Sequence, residues 1–252
     1  MRFGVQLHSL KARIAELGVD KVLSELSEIG VSVAELAGFY DLSPKELSAL
    51  FKEYNIEPYA AHIGLAAIEG AIPYIKELGI KKVFIPICRF AELSDPEGYK
   101  NFIKGARKAK EDLSALGIPL GYHNHYNELK GEEDLLDKIS LDAGIDIELD
   151  LFWARAARKN ALELMDKYGS RLSALHIREM DKRADPDAPT DYPHAVVGEG
   201  ASMCRECIEK AVCMGVEDFI LEVSDYPIPE MEYIEKSIAS MKTFAKIAED
   251  KI

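Results

Sequence analysis

The chain reads as an α/β protein, a single (β/α)₈ barrel spanning residues 1–252, on three observations. Eight short β-rich runs alternate with stretches whose apolar residues recur three and four apart, the period of an amphipathic helix. That repeat implies parallel strands joined by right-handed crossovers. Eight such units in 252 residues suit a closed barrel, and no GxGxxG or phosphate-loop pattern follows any run to favour an open, doubly wound sheet.

In chain order the expected strands are Phe3–His8, Val33–Ala37, Glu57–His62, Lys82–Ile87, Pro119–His125, Ile145–Leu151, Ser173–Ile177 and Asp218–Val223. Helical patterns separate them, among them VDKVLSELSEIG, SPKELSALFKEYN, GAIPYIKELG, NALELMDKYGSR and MEYIEKSIASMKTFAKI. Ser43 followed by Pro44 fits an N-cap with proline in the first turn. Glycines 30, 79, 117, 144 and 215 fall where helices should stop. Two connections are long: YNELKGEED after strand 5, and REMDKRADPDAPTDYPHAVVGEGAS after strand 7, whose length and polarity suit closure over a ligand.

Composition narrows the function. Apolar residues make up 48% and charged residues 30% of the chain, an ordinary globular balance. A net charge of −13 opposes nucleic-acid binding, which needs a basic surface. The N-terminus MRFGVQLHSLKARI has no secretory h-region, and no run has the ~18 apolar residues of a membrane span, so a cytoplasmic protein without membrane contact is expected. Cys204 and Cys207 have half the spacing of a zinc site, but they lie in a helical pattern with no second pair and read as reduced cysteines.

Chemistry concentrates at the strand ends. His8, His62, His123, His125 and His176 end or nearly end apolar runs, as do Asp150 in IDIELD and Glu222 in FILE. In a parallel barrel all of these point into the mouth at the carboxyl ends of the strands, where active sites sit. Imidazoles and buried carboxylates meeting there imply a shared divalent cation, because an unpaired buried charge is heavily penalised. His123 and His125 are two apart on a strand and face one side, with Asn124 facing the other. Glu35 and His62 line the mouth as substrate contacts, Glu35 alternatively as a bond holding a ligand histidine. Trp153 suits stacking on a sugar face. Glu128 lies just past strand 5, His8 on strand 1, and His194 in the strand 7 loop, where it reads as solvated.

The segments GVQLHSL, VAELAGFYDLSPKELSALFKEYNIEPYAAHIGL, GYHNHYNEL, IELDLFW, LHIREMD, VGEG and ILEVSD resemble the xylose isomerase-like TIM-barrel superfamily. The likeness is greatest to its sugar phosphate isomerase/epimerase branch of YHNH type, which includes inosose dehydratase-like proteins. The resemblance runs end to end and implies one divalent metal held from strands 5, 6, 7 and 8. Motif by motif these positions are His123, where relatives more often carry Glu, then Asp150, His176 and Glu222. Arg178 stands where relatives often have Lys and, with Glu199 of VGEG, is expected to contact substrate.

The expected activity is metal-dependent isomerisation or epimerisation of a sugar or polyol, by removal of a proton next to a carbonyl and a metal-stabilised enediolate. Glu222 is the candidate ligand and base, with His125 or Glu128 on the other face; loss of a β-hydroxyl after the same half-reaction would give a keto-polyol dehydratase. Mn²⁺ is the first choice of metal, with Mg²⁺, Co²⁺ or Zn²⁺ suiting the same mixed donors. A metal-dependent hydrolase of the endonuclease IV kind would need more metal ligands and a basic face, and a non-catalytic sugar-binding barrel would lack metal. Self-association into a homo-oligomer is compatible with the sequence.

Overall fold

Eight strands close into one parallel barrel in chain order, the eighth pairing with the first. They are β1 (Arg2–Gln6), β2 (Val33–Leu36), β3 (Glu57–His62), β4 (Lys82–Ile85), β5 (Leu120–His123), β6 (Asp146–Asp150), β7 (Leu172–Ile177) and β8 (Asp218–Leu221). A computed structural model describes residues 1–184 and 193–251. Part of the expected lid after β7 therefore lies outside the described residues. Most strands end one or two residues earlier than the apolar runs suggest, because the chain turns as soon as a side chain reaches the mouth. His8 consequently sits in a 3₁₀ turn (Leu7–Leu10) rather than on β1.

The helix signals act where expected. Ser43 and Glu46 form a reciprocal capping box on helix Pro44–Glu53, which satisfies two backbone donors at its start. Gly79 and Gly144 adopt the left-handed conformation that ends their helices, at φ 71° and 65°. The helices and outer strand faces bury one continuous apolar core.

Inside the barrel, alternate residues stack in layers. At the amino-terminal end Arg2 and Lys82 both pair with buried Asp218, at 2.5 and 2.6 Å. Above them an apolar cluster of Val33, Tyr59, Ala60, Phe84 and Ala174 fills the bore. Gly4 and Gly121 leave room for it: a Cβ on Gly121 would lie 2.5 Å from Phe84 Cδ1, and one on Gly4 2.9 Å from Val33 Cγ1. The next residues along the strands are polar. Register sets Gln6 beside Glu35, His123 beside Glu148, and Asp150 beside His176.

Candidate active site

The polar layer is a contiguous cluster of imidazoles and carboxylates. Donor atoms of His123, Asp150, His176 and Glu222 all lie within 4.8 Å of one another. His123, Asp150 and His176 are buried, and Glu222 faces the mouth with 12% of its side chain exposed. His176 Nδ1 is 3.2 Å from Glu222 Oε2, while its other nitrogen, Nε2, is 2.7 Å from Glu35 Oε2. Gln6 Nε2 donates to the same Glu35 oxygen at 2.6 Å. Glu35 thus lies behind His176 instead of lining the mouth, the second of the two roles expected for it.

The set fits a divalent cation. Asp150 Oδ1 accepts the Trp153 amide at 2.8 Å, but Oδ2 is buried without a hydrogen-bond partner. Burial pushes the Asp150 carboxyl up to about 7, with Arg178 opposing and Glu222 adding to the rise. Glu35, Glu148, Asp150 and Glu222 bring four carboxylates to a region holding the imidazoles of His62, His123 and His176 and the guanidinium of Arg178. Such a surplus of buried negative charge is stable only if neutralised, by protons or by a cation. The donors are mixed imidazole and carboxylate, as first-row divalent ions accept.

Burial alone would lower the His176 imidazole, but the Glu148 and Glu35 carboxylates outweigh it and hold it well above its ordinary value. Burial would raise Glu222, yet His176 and Arg178 hold it well below the usual carboxylate range. It is therefore ionised at neutral pH.

The wall around the cluster is aromatic and cationic. Trp153 is half-buried, 5.7 Å from the His125 ring and 5.0 Å from the Arg178 guanidinium. Arg178 lies over Phe152, bonds Ser224, and approaches Glu222 Oε2 at 3.7 Å. His125 lies two residues past the end of β5, at the cap of the short helix Tyr126–Leu129, and its ring still packs edge-on to His123 at 5.0 Å. His125 Nδ1 and Trp153 Nε1 are both buried without a partner. Burial drives His125 down to about 4, so it is neutral at pH 7.

Other expected residues are placed differently. Glu128 accepts the Tyr122 hydroxyl at 2.9 Å and the His125 amide at 2.9 Å, so it caps the turn after β5 and joins neither group of potential metal donors. Glu199 is exposed, and its charge acts on Lys236 of the outer C-terminal helix. The neighbouring Glu179 ties down this segment instead, accepting the amides of Gly198 and Ser202 at 3.0 and 2.7 Å. His8 is exposed beside Lys11, at 3.3 Å, and close enough to Glu222 for that charge to act on it. His194 is not solvated: it is buried, stacks on Phe152 at 4.7 Å and accepts from Arg178 Nε at 3.0 Å. Asn124, expected to face away, accepts the Asp150 amide at 2.9 Å and so bridges β5 to β6. The four cysteines are free, and none belongs to either group of potential metal donors found among the described residues.

Sequence reasoning passed over Glu148. Its Oε2 lies 2.7 Å from His62 Nε2 and 3.2 Å from both His123 Nδ1 and His176 Nε2. Attention to the last residue of IDIELD selects Asp150, but the strand period of two puts Glu148 on the same inner face.

Comparison with known proteins agrees with this architecture. The sequence model of the xylose isomerase-like TIM barrel family matches residues 4–244. An inosose dehydratase from Geobacillus kaustophilus is 22% identical over 193 residues, 64% of this chain, and the aligned part spans 62% of that enzyme's length. A sugar phosphate isomerase/epimerase structure from Parabacteroides distasonis superposes with a TM-score of 0.76 at 20% identity, covering 97% of this chain and 95% of that one. A probable 3-DHS dehydratase from Bacillus anthracis superposes at 0.74 with 10% identity, covering 96% and 99%. Among the described residues no helix is long and apolar enough to cross a membrane. The chain belongs to the xylose isomerase-like TIM-barrel family.

Proposed function

We propose that this protein is a divalent-metal-dependent isomerase or epimerase of a sugar or polyol, acting by proton transfer next to a carbonyl. One observation carries the reading. A buried His123–Asp150–His176–Glu222 donor set opens onto a wall of Trp153, Arg178 and His125 that still holds unpartnered polar atoms. A divalent ion held by those four residues, Mn²⁺ first and Mg²⁺, Co²⁺ or Zn²⁺ by the same donors, would supply Lewis-acid polarisation of the substrate carbonyl.

The remaining chemistry falls to the chain. Trp153 offers an aromatic face to the apolar side of a polyol and its indole N–H to a hydroxyl. Arg178, held by His194 and Ser224, adds a fixed cation beside the carbonyl end. Glu222 is ionised and reaches the mouth, so it takes the α-proton. Glu222 hands that proton back to carbon, or on to a departing hydroxyl through His125, which is neutral at pH 7 and can therefore accept it and pass it on from the β5 side. Return to carbon gives isomerisation or epimerisation; departure of a β-hydroxyl gives dehydration. The inosose dehydratase relative supports keeping the second outcome beside the first.

The test is a panel of ketoses and keto-inositols in D₂O with Mn²⁺, followed by NMR. Deuterium at the carbon next to the carbonyl is the expected result. Full loading with metal and no exchange across the panel would overturn the reading.

A further inference from the structure

Behind the proposed metal ligands lies a second layer that none of the chemistry above uses. Glu148 is wholly buried at the centre of this layer, and one of its oxygens meets three imidazole nitrogens. The hydrogens available there are few. A neutral imidazole carries one N–H, so a ring with a single nitrogen on a carboxylate holds the hydrogen there and leaves the other nitrogen a lone pair.

The contacts with hydrogen-bond geometry sort the layer, and only His176 among these three rings meets carboxylates at both nitrogens, Glu35 on Nε2 and Glu222 on Nδ1. Glu35 Oε2 takes Gln6 Nε2 at 2.6 Å and His176 Nε2 at 2.7 Å. Glu148 Oε2 takes His62 Nε2 at 2.7 Å and His123 Nδ1 at 3.2 Å. Two cross-contacts, His62 to Glu35 at 3.1 Å and His176 to Glu148 at 3.2 Å, link the two carboxylates through the imidazoles. Backbone irregularities accompany both acids. The β2–β3 register shifts between Ala34 and Glu35, and the β6–β7 register between Ile147 and Glu148. Bulges of this kind re-aim a side chain beside a functional site.

We infer that Glu148 is a positioning residue that fixes His123 as the Nδ1–H tautomer, leaving Nε2 as the lone-pair nitrogen that His123 brings to the four-residue donor set. The inference rests on the metal-site reading above and deepens it. It explains how a histidine serves where relatives more often have a carboxylate: an imidazole is a ligand only with its lone pair aimed at the ion, and the hydrogen bond on its other nitrogen sets that aim. Asn124, the residue after His123, accepts the Asp150 amide, so the strand carrying Glu148 bonds both the His123 ring and the side chain next to it.

The experiment is two-bond ¹H–¹⁵N correlation NMR of the histidine rings in the metal-free wild-type protein, with His123 assigned by the signal lost in His123→Asn. The expected signature is a single Nδ1–H tautomer. In Glu148→Gln, whose amide presents an N–H as well as an oxygen, that signature should give way to a mixture. Zn²⁺ or Co²⁺ affinity, measured by competition with a chromophoric chelator, should fall about 10- to 100-fold. Glu148→Asp, which keeps the charge on a shorter arm, should recover part of the affinity. An Nε2–H tautomer in the wild-type protein would overturn the inference even if no variant folds. Unchanged affinity in a folded Glu148→Gln protein would do the same. So would two tightly bound ions per wild-type chain, since Glu148 would then itself be a ligand, its buried and unpartnered Oε1 included. A wild-type protein that shows the Nδ1–H form but binds no ion would sink the metal reading and leave the hold of Glu148 on His123 standing.

Discussion

Replacing Asp150 with Asn should make the metal-free protein more stable and the metal-loaded protein less so. The side chain keeps its oxygen for the Trp153 amide, so the helix cap survives and only the charge is lost. In the metal-free protein burial raises this carboxyl from 3.8 to about 7, with Arg178 opposing and Glu222 adding. A raised acid pKa means that the native state keeps a proton which the unfolded chain has already released. Stability therefore falls as pH rises from about 4 to about 7 and is flat above that. At ~1.4 kcal/mol per tenfold, the full penalty is about 4 kcal/mol, and about 2 kcal/mol after relaxation around the buried ion. Asp150→Asn removes it. With metal the order inverts, because wild type gains about 4 kcal/mol at a thousandfold excess over Kd while the variant has lost a charged ligand. Urea unfolding at pH 5 and pH 8, with chelator and with Mn²⁺, reads all of this. If the variant is the less stable protein at pH 8 in chelator and responds to Mn²⁺ like wild type, Asp150 is only a helix cap.

Two further outcomes follow from the same geometry. Glu222→Gln keeps one oxygen ligand and the shape but removes the proton acceptor. It should retain bound metal and lose at least ~100-fold in solvent-deuterium exchange, and exchange near the wild-type rate would move the base elsewhere. Gly121→Ala drives a methyl to within 2.5 Å of Phe84 and 3.2 Å of the Asp146 carbonyl, so the barrel floor should lose about 1–3 kcal/mol in urea unfolding. A loss under a few tenths of a kcal/mol would mean that the bore is loosely packed.

The barrel was legible because each strand is an apolar run and each helix carries its own punctuation. The Ser43–Pro44 cap and the glycines at 79 and 144 perform the roles that their residue types favour. His123, Asp150, His176 and Glu222 stood out because each lies at or near a strand end and matches a motif of the family, and the structure brings their donor atoms within 4.8 Å of one another. Strand-end position fails as a guide one step deeper. Glu148 lies two residues below the end of β6, and Gln6 ends β1 where the apolar run to His8 hid that end; the roles of both depend on which neighbour the register brings alongside. The β2–β3 and β6–β7 register shifts have no counterpart in local periodicity. His194 and Glu199 were misplaced for another reason. Both lie in an irregular connection: polarity suggests solvent for His194, yet a stacking partner in Phe152 and a bond from Arg178 bury it, while Glu199, expected to contact substrate, is exposed. Glu128 shows the converse: an acid after a strand end suggests catalysis, but the turn it caps engages both of its oxygens.

The proposed activity depends on one divalent ion held by His123, Asp150, His176 and Glu222. Elemental mass spectrometry of protein reloaded with Mn²⁺ and freed of excess ion tests that binding most directly, with wild type, His176→Ala and Asp150→Ala measured together. About one ion per chain is expected in wild type and near-complete loss in both variants, since each removes one of the four proposed ligands. Equal metal in all three proteins, or none in wild type, would contradict it.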